Sequence, residues 1–269
     1  MGVYEANGSS SDEDGVRACT FGVCDGSGYT VDEDNFSHEC ACLEPRLRKA
    51  RAKSVTSPIP RRYRGMSPDR PPISDMPREF VSPVQSWIDS MPDNINEGKG
   101  FWMLGETGTG KTSLAMWAAQ EVLARDYTVA IYSTPVLLSK IRGSFDGDSE
   151  ATSYAGVFRR LTEVDLLVLD DLGSEKPSEW VKEQFFALIN ERYNDKRSIA
   201  VTANMINTSR SERREDGTYG DVRHEETYPD AMARLEDELG SRTMSRLHDM
   251  CGGDPTPMFG PDQRVQSYP

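Results

Sequence analysis

The chain has 269 residues, of which 36% are hydrophobic and 28% charged, and its formal net charge at pH 7 is −13. This length suffices for one sizeable core with polar extensions, and the acidic balance argues against nonspecific duplex binding over the whole surface. No apolar run approaches the ~20 residues of a membrane helix, and the first residues lack the basic and apolar regions of a signal peptide. We therefore expect a cytoplasmic protein.

Four of the five cysteines lie close together after an acidic segment, residues 1–18, that we expect to be disordered. They are Cys19, Cys24, Cys40 and Cys42, and His38 lies beside the second pair. In a reducing compartment, clustered cysteines more often bind a metal than form disulfides, and four thiolates suit tetrahedral Zn²⁺. The sequence therefore predicts a zinc-binding module at residues 19–45. The spacing is irregular, so free thiols and a role for His38 as the fourth ligand remain alternatives.

Residues 46–74 form a basic, proline-rich segment inside an otherwise acidic protein. The prolines discourage regular structure and favour a linker. Its arginines and lysines could contact single-stranded DNA or an acidic protein surface, or the segment could simply be a solvated tether.

A glycine-rich loop follows the apolar run at residues 101–104 and precedes a helix-like stretch. Its pattern, G-x-x-x-x-G-K-T, is typical of phosphate-binding loops, in which glycines let backbone N–H groups turn towards a triphosphate. Lys111 can reach the β- and γ-phosphates, and the hydroxyl of Thr112 can ligate Mg²⁺. The predicted nucleotide-binding residues are Gly105, Glu106, Thr107, Gly108, Thr109, Gly110, Lys111 and Thr112. This loop alone leaves kinase, GTPase, helicase and motor open.

The run at residues 166–169 has the apolar character of a buried parallel strand, and Asp170 and Asp171 follow it directly. Ligands bind at the carboxyl ends of such strands. We therefore predict that Asp170 holds Mg²⁺ through water and that Asp171 polarises the attacking water. A helix cap is the alternative for such an acidic pair.

Two further sets of polar residues lie downstream. Asn204 follows the predicted strand at residues 199–202 and could orient the water against the γ-phosphate, although an asparagine after a strand is often only a turn residue. Arg242 and Arg246 are spaced i and i+4 on one helix face. Either could reach the nucleotide of a neighbouring subunit, or both could belong to a solvated helix face.

Spacing of apolar residues predicts the remaining elements. We expect helices over 112–124, near 135–145 and 154–161, and over 179–193, a strand at 129–132, and a mobile, polar surface loop over 207–229. The helix over 179–193 presents Val181, Phe185, Leu188 and Ile189 to the core. Cys251 is expected to be a small core residue.

Taken in order, these motifs resemble those of the DnaC/DnaI-type helicase loaders and their IstB-like relatives, which are AAA+ ATPases of the initiator branch. The segments that carry the resemblance are Gly-Glu-Thr-Gly-Thr-Gly-Lys-Thr, Leu-Val-Leu-Asp-Asp-Leu-Gly, Thr-Ala-Asn and Ser-Arg-Thr-Met-Ser-Arg-Leu, and it extends from about Ile59 to Arg264. It implies an α/β, three-layer P-loop AAA+ fold with a parallel sheet over residues 75–269. It also implies an ATPase that uses Mg²⁺, self-associates through its ATP sites and delivers a hexameric replicative helicase onto single-stranded DNA.

The resemblance also implies roles for particular residues. Arg246 would be the arginine finger, with Arg242 supporting it, and Arg264, in a closing Gly-x-Asp-x-Arg element, would sense the nucleotide of its own subunit. Residues 59–64 would lie near the adenine, and an N-terminal zinc module would hold the helicase. The two helices before the Asp170 strand would line a central channel. Its candidate strand contacts, which could also be ordinary surface charges, are Lys140, Arg142, Arg159 and Arg160.

Three other functions are compatible with some of these motifs. A transposition-helper ATPase shares them, but the cysteine-rich N-terminus favours the loader. An adaptor could use ATP only to lock a conformation while the zinc module binds a partner. A nucleoside kinase is disfavoured because little chain remains after Arg246 for a lid over the acceptor.

Overall fold

The computed structural model describes residues 19, 22–43, 59–146, 153–174, 178–213, 219–260 and 262–263, with only the backbone of 207–213 and 219–225. The chain divides into two compact units, residues 1–50 and 51–269. Among the described helices, none has the length and apolar character needed to cross a membrane.

The first unit contains a short antiparallel hairpin between its cysteine pairs. Strands β1 (Tyr29–Val31) and β2 (Ser37–Glu39) pair with Tyr29 opposite Glu39. The carboxylate of Asp32 accepts hydrogen bonds from the backbone N–H groups of Asp34 and Phe36, which closes the turn. The hairpin thereby returns the chain from the first cysteine pair to the second.

The second unit is built on a five-stranded parallel sheet. Its strands are β3 (Phe101–Gly105), β4 (Val129–Ser133), β5 (Leu166–Leu172), β6 (Ser198–Asn204) and β9 (Thr256–Met258), in the spatial order β4-β5-β6-β3-β9. The carboxyl ends of β3, β5 and β6 therefore meet at one edge, where the phosphate-binding loop begins.

Helices cover both faces of this sheet and give three layers. One face carries α1 (Arg78–Asp89), α2 (Met91–Glu97) and α3 (Lys111–Ala124); the other carries α4 (Thr134–Gly143), α5 (Tyr154–Glu163), α6 (Glu179–Asn194), α7 (Tyr228–Leu239) and α8 (Ser241–Cys251). Alternate residues of β3 point to opposite faces of the sheet. Phe101 and Met103 pack on the side of α1 to α3, whereas Trp102 and Leu104 pack on the side of α4 to α8. This double burial explains why the strands read as continuous apolar runs.

The core of the second unit extends upstream of residue 75. Ile59 and Ile73 are buried against the first layer, and the backbone N–H of Gly65 donates to the side-chain oxygen of Gln120 in α3, at 2.7 Å. Two short 3₁₀ turns, Arg61–Tyr63 and Ile73–Asp75, lie in this stretch. The latter part of the proline-rich segment thus packs on the second unit.

The predicted helices and strands of the second unit are confirmed with bounds shifted by a few residues. The prediction of a mobile loop over 207–229 is wrong: strands β7 (Asn207–Arg213) and β8 (Tyr219–Glu225) form an antiparallel hairpin, and α7 begins at Tyr228. Their sequences lack the alternation of apolar and polar residues by which a half-buried strand is recognised. The backbone pairing that the structure shows has no counterpart in that pattern.

Candidate functional site

The phosphate-binding loop connects β3 to α3 and uses its glycines for close contacts. Gly108 and Gly110 have φ values of 86° and 99°, a region that other residues rarely adopt. A Cβ at Gly108 would lie 2.1 Å from the carboxyl carbon of Asp262, and one at Gly110 would lie 2.1 Å from the methyl group of Met76. Both positions therefore favour glycine by backbone conformation, and a larger residue would also have to displace the side chain of Asp262 or Met76.

Lys111 lies along this loop and is buried. Its Nζ donates to the carbonyl oxygens of Gly105 and Glu106, at 2.9 and 2.6 Å, and lies 3.4 Å from the hydroxyl of Thr109. The ammonium group of Lys111 thus lies within the phosphate-binding loop, where the sequence predicts that phosphates bind. A cation in this position can neutralise charge on bound phosphates.

The structure brings Thr112 and Asp170 together, as the sequence predicts. The Thr112 hydroxyl donates to Oδ1 of Asp170 at 2.9 Å, and the hydroxyl of Thr202 donates to the same oxygen at 2.6 Å. Burial raises the pKa of Asp170, and the two hydroxyl groups oppose that shift by stabilising the carboxylate. A hydroxyl and a carboxylate side by side are suitable Mg²⁺ ligands.

Asp171 and Asn204 also meet, through a 2.6 Å hydrogen bond from Nδ2 of Asn204 to Oδ1 of Asp171. Asp171 has a φ of 59°, and the register of β5 on β6 shifts between Leu169 and Leu172. This bulge lets two consecutive acids serve one site, since in a regular strand they would point to opposite faces. The backbone N–H of Asp171 donates to the Thr202 hydroxyl at 3.0 Å, which holds the strained residue in place.

Sequence reasoning missed Thr202 and a second supporting residue, Arg234. Arg234 in α7 donates to the carbonyl oxygens of Asn204, at 2.9 Å, and Gly173, at 3.4 Å, and pairs with Glu226 and Glu238. The i,i+4 spacing of Arg234 and Glu238 was the only sequence signal, and it is common on solvent-exposed helices. Arg234 thus links α7 to the segments that carry Asp171 and Asn204.

Arg246 lies on the inner side of α8, against α6. Its Nε donates to Oδ1 of Asn190 at 2.9 Å, and its guanidinium carbon lies 5.0 Å from the ring centre of Phe186 and 5.7 Å from that of Tyr193. Its Nη1 donates to the backbone carbonyl of Arg242 at 3.1 Å, and Arg242 itself is exposed. Within the described part of the chain, none of these contacts involves the phosphate-binding loop of the same subunit.

The segment after β9 returns across the phosphate-binding loop. The backbone N–H of Gly260 donates to a carboxylate oxygen of Glu106 at 2.9 Å, and that of Gln263 donates to the carbonyl of Gly108 at 3.0 Å. Arg264, the predicted nucleotide-sensing arginine, lies outside the described residues. The residues just before it nevertheless place this segment beside the loop.

The four predicted zinc ligands converge in the first unit. The sulfur atoms of Cys19, Cys24, Cys40 and Cys42 all lie within 4.8 Å of one another, and the 3.7 and 3.4 Å separations of Cys19 from Cys40 and of Cys24 from Cys42 exceed a disulfide bond. Such a cluster has the composition and size of a tetrahedral Cys₄ zinc site. His38 lies apart from it and binds Asp32 at 2.7 Å.

Backbone amides approach one of these sulfurs, as expected from the turn that follows Cys24. Desolvation raises the pKa of Cys24, but hydrogen bonds from the backbone of Gly26 and Gly28 outweigh it, so that its pKa is lowered overall. Cys251, by contrast, packs against the core of the second unit, where burial raises the pKa of its thiol. The sequence expectation for Cys251 agrees with this packing.

The three layers around a parallel sheet and the loop between β3 and α3 define a domain of the P-loop class. Residues 88–218 match the IstB-like ATP binding protein family. The replicative helicase loader DnaC of Buchnera aphidicola subsp. Schizaphis graminum is 25% identical over 178 residues, which cover 66% of this chain and 71% of that protein. DnaC of Escherichia coli strain K12 is 27% identical over 124 residues, 46% of this chain and 49% of that protein.

Solved structures share the fold. The crystal structure of the DnaC helicase loader superposes with a TM-score of 0.56 at 23% identity, covering 74% of this chain and 99% of that one. The crystal structure of DnaI gives a TM-score of 0.55 at 20% identity, and the match covers 80% of this chain and 100% of the DnaI chain. The resemblance to loaders of the DnaC/DnaI type that the motifs indicate is confirmed by the family match over residues 88–218 and by the relatives named DnaC.

Proposed function

We propose that this protein is an ATPase that delivers a hexameric replicative DNA helicase onto single-stranded DNA. The observation that carries the ATPase part is the meeting of Thr112, Asp170, Asp171 and Asn204 at one sheet edge beside Lys111. The loader part is supported by relatives that are named replicative helicase loaders, one of them aligned over 66% of this chain. Such a protein acts where DNA is replicated, in the cytoplasm.

Hydrolysis requires in-line attack of water on the γ-phosphate together with neutralisation of the developing charge. Lys111 binds the β- and γ-phosphates, and Thr112 and Asp170 hold Mg²⁺, which supplies further neutralisation when bound. Asp171 accepts a hydrogen bond from the attacking water. Asn204 keeps the carboxylate of Asp171 in one orientation and offers its amide to the γ-phosphate side.

Arg246 completes the site of a neighbouring subunit. Its guanidinium stabilises the charge that develops on the γ-phosphate there, Arg242 supports it from the preceding helical turn, and Arg264 senses the nucleotide within its own subunit. Self-association through ATP sites therefore controls hydrolysis. This role agrees with the absence of contacts between Arg246 and the phosphate-binding loop within the described part of one chain.

The first unit binds Zn²⁺ and holds the helicase, while assembled ATPase units contact single-stranded DNA. Four thiolates fold this unit irrespective of the nucleotide state, because zinc binding is coupled to folding and does not depend on ATP. Candidate DNA contacts on α4 and α5 are Lys140, Arg142, Arg159 and Arg160. In this structure, the guanidinium carbon of Arg142 lies 4.7 Å from the ring centre of Trp180, so the charged group of this candidate already contacts an aromatic face of its own subunit.

Loading onto closed circular single-stranded DNA tests this proposal, because a hexameric ring can enter a closed circle only if it is opened. We expect the wild-type protein with ATP to transfer the helicase of the same source onto such circles and to hydrolyse ATP faster when DNA is present. Lys111→Ala should lose the response to ATP. Asp171→Asn should retain ATP binding but lose hydrolysis.

Two outcomes would contradict different parts of the proposal. If Asp171→Asn hydrolyses ATP at the wild-type rate, the assignment of Asp171 is wrong. If the helicase neither binds the protein nor enters circles at any nucleotide state, the loader function is wrong. DNA-stimulated hydrolysis would still be informative in that case, because an adaptor that uses ATP only as a lock would not show it.

A further inference from the structure

Three side chains of α6 form one stripe that receives Arg246. Phe186, Asn190 and Tyr193 are spaced i, i+4 and i+7, so they share a helix face. The guanidinium of Arg246 lies near both rings, and the amide oxygen of Asn190 accepts its Nε–H at 2.9 Å. We call these three residues the α6 clamp.

The α6 clamp restrains Arg246 without neutralising it. Aromatic faces attract a guanidinium group through their quadrupoles, and an amide oxygen is an uncharged acceptor. In the described part of the chain, no carboxylate forms an ion pair with Arg246. The carboxylate of Asp249 lies near the hydroxyl of Tyr193, where its negative charge raises the pKa of that hydroxyl. The positive charge of Arg246 is therefore left for an anion outside this subunit.

The clamp also determines which edge of the guanidinium faces outwards. Nε of Arg246 is hydrogen-bonded to Asn190, and its Nη1 is hydrogen-bonded to the carbonyl oxygen of Arg242. No described residue accepts a hydrogen bond from Nη2. Arg246 lines an open pocket of ≈ 680 Å³ together with Tyr193, Ser245, His248, Asp249 and the glycines at 252 and 253. An anion approaching through this pocket would meet a guanidinium that is already oriented.

The contact between α6 and α8 does not need the clamp for its stability. Buried apolar residues already join the two helices, including Phe185 and Ile189 of α6 and Leu247 and Met250 of α8. The clamp residues lie at the margin, where Phe186 and Asn190 are half-buried and Tyr193 is 39% exposed. A polar contact at the margin of an apolar interface is better suited to orienting a side chain than to holding the helices together.

We infer that Phe186, Asn190 and Tyr193 are positioning residues for Arg246, which they hold ready for the γ-phosphate of a nucleotide bound to the adjacent subunit. This inference rests on the proposed role of Arg246. An unrestrained arginine side chain samples many rotamers, and ordering it during the reaction raises the free energy of the transition state. Prior restraint by the clamp removes part of that cost.

Pairwise mixing of full-length variants tests the inference directly. Two tester proteins are used: Lys111→Ala has an intact Arg246 but no functional ATP site, and Arg246→Ala has an intact ATP site but no finger. Mixed together, the testers should recover ATP hydrolysis because one type of interface combines a working site with a working finger. Asn190→Ala is then mixed with each tester in turn.

Asn190→Ala should show a one-sided defect. With Lys111→Ala it should recover activity, because its own ATP site is intact and the tester donates a positioned arginine. With Arg246→Ala it should recover roughly 10 to 100 times less activity than wild-type protein does with that tester, since a small misplacement of a reacting group has an effect of this size. Its apparent KM for ATP should stay unchanged while kcat falls.

Conservative variants separate orientation from packing. Phe186→Leu should recover little ATP hydrolysis when mixed with Arg246→Ala. Phe186→Tyr, which retains the ring, should recover most of the activity that wild-type protein gives in that mixture. Asn190→Asp should retain the contact with Arg246 but form an ion pair with it. Arg246 of this variant should then no longer support ATP hydrolysis at the site of a neighbouring subunit. Glu191→Ala, next to the clamp on the exposed side of α6, is the matched control and should behave as wild type in both mixtures.

The outcomes distinguish this inference from the proposal on which it rests. If the two testers fail to complement each other although mixed assembly is confirmed, Arg246 is not a finger and the inference is overturned with it. If the testers complement but Asn190→Ala and Phe186→Leu donate as well as wild type, the clamp has no positioning role. An equal loss with both testers shows a general packing defect and also overturns the inference.

Discussion

Thr202 connects the two acidic residues of the candidate ATP site. Its hydroxyl donates to Asp170, and the same oxygen accepts the backbone N–H of Asp171, whose φ of 59° is unfavourable for a residue with a side chain. Thr202 is completely buried at the end of β6. One small hydroxyl thus orients the Mg²⁺-binding carboxylate and stabilises the strained backbone that presents the next one.

Replacement of Thr202 by valine should damage both functions of this hydroxyl while conserving shape. The N–H of Asp171 and the carboxylate of Asp170 would each lose a hydrogen bond, so we expect the free energy of unfolding to fall by roughly 1–3 kcal/mol. ATP hydrolysis should fall more than ATP binding, because the loop that binds the phosphates is untouched. Urea denaturation and steady-state kinetics measure the two effects.

Thr202→Ser is the control for this experiment, since it retains the hydroxyl and loses only a methyl group. It should recover most of the wild-type activity. If valine and serine variants have the same rate of hydrolysis, the hydroxyl of Thr202 has no part in orienting Asp170.

At the scale of secondary-structure elements, α6 is joined to the sheet by a buried arginine. Arg192 is fully buried and donates to the carbonyl oxygens of Leu161 and Thr162 at the end of α5 and to those of Asp165 and Ser198 at the amino-terminal edges of β5 and β6. Burial lowers the pKa of Arg192 to about 9. These carbonyl groups have no solvent to replace the guanidinium if it is removed.

Arg192→Leu should therefore destabilise the second unit. Several buried carbonyl groups would lose their donor at once, and we expect a loss of roughly 3 kcal/mol or more in the free energy of unfolding. Arg125→Leu is the matched control, because the Arg125 to Glu121 pair is exposed on α3 and such pairs contribute about 0–1 kcal/mol. Equal midpoints of denaturant unfolding for the two variants would contradict a structural role for Arg192.

At the scale of the whole molecule, two units are stabilised by different means. The second unit has two apolar cores around a sheet, whereas the buried hydrophobic residues described in the first unit are Cys40 and Cys42. A unit of about 50 residues without an apolar core needs a metal or a covalent link to fold. The convergence of four sulfur atoms supplies the ligands for a metal.

We predict about one zinc equivalent per chain in protein purified without added zinc, since four thiolates form a complete tetrahedral shell. Mass-spectrometric metal analysis measures the stoichiometry. Cys42→Ser should lower it and increase proteolysis of the first unit, while Cys251→Ser, outside the cluster, should leave it unchanged. A folded wild-type protein that contains no zinc would rule the site out.

The sequence by itself determined the class of fold and the identity of the central groups. Apolar runs that are buried on both faces are readable because every residue of such a strand is constrained, and the loop at 105–112 is readable because its chemistry requires glycines and a lysine at set positions. The four cysteines were recognisable for the same reason, since metal ligands admit few residue types.

Only the tertiary structure decided which ordinary residues support these groups. Thr202, Arg192, Arg234 and the α6 clamp occur at positions where the local sequence has nothing distinctive, and their roles arise from contacts between elements distant along the chain. The hairpin of β7 and β8 was missed because backbone pairing leaves no side-chain pattern when the strands are polar. Local patterns encode burial and chemistry, whereas partners in space are determined by the packing of the whole chain.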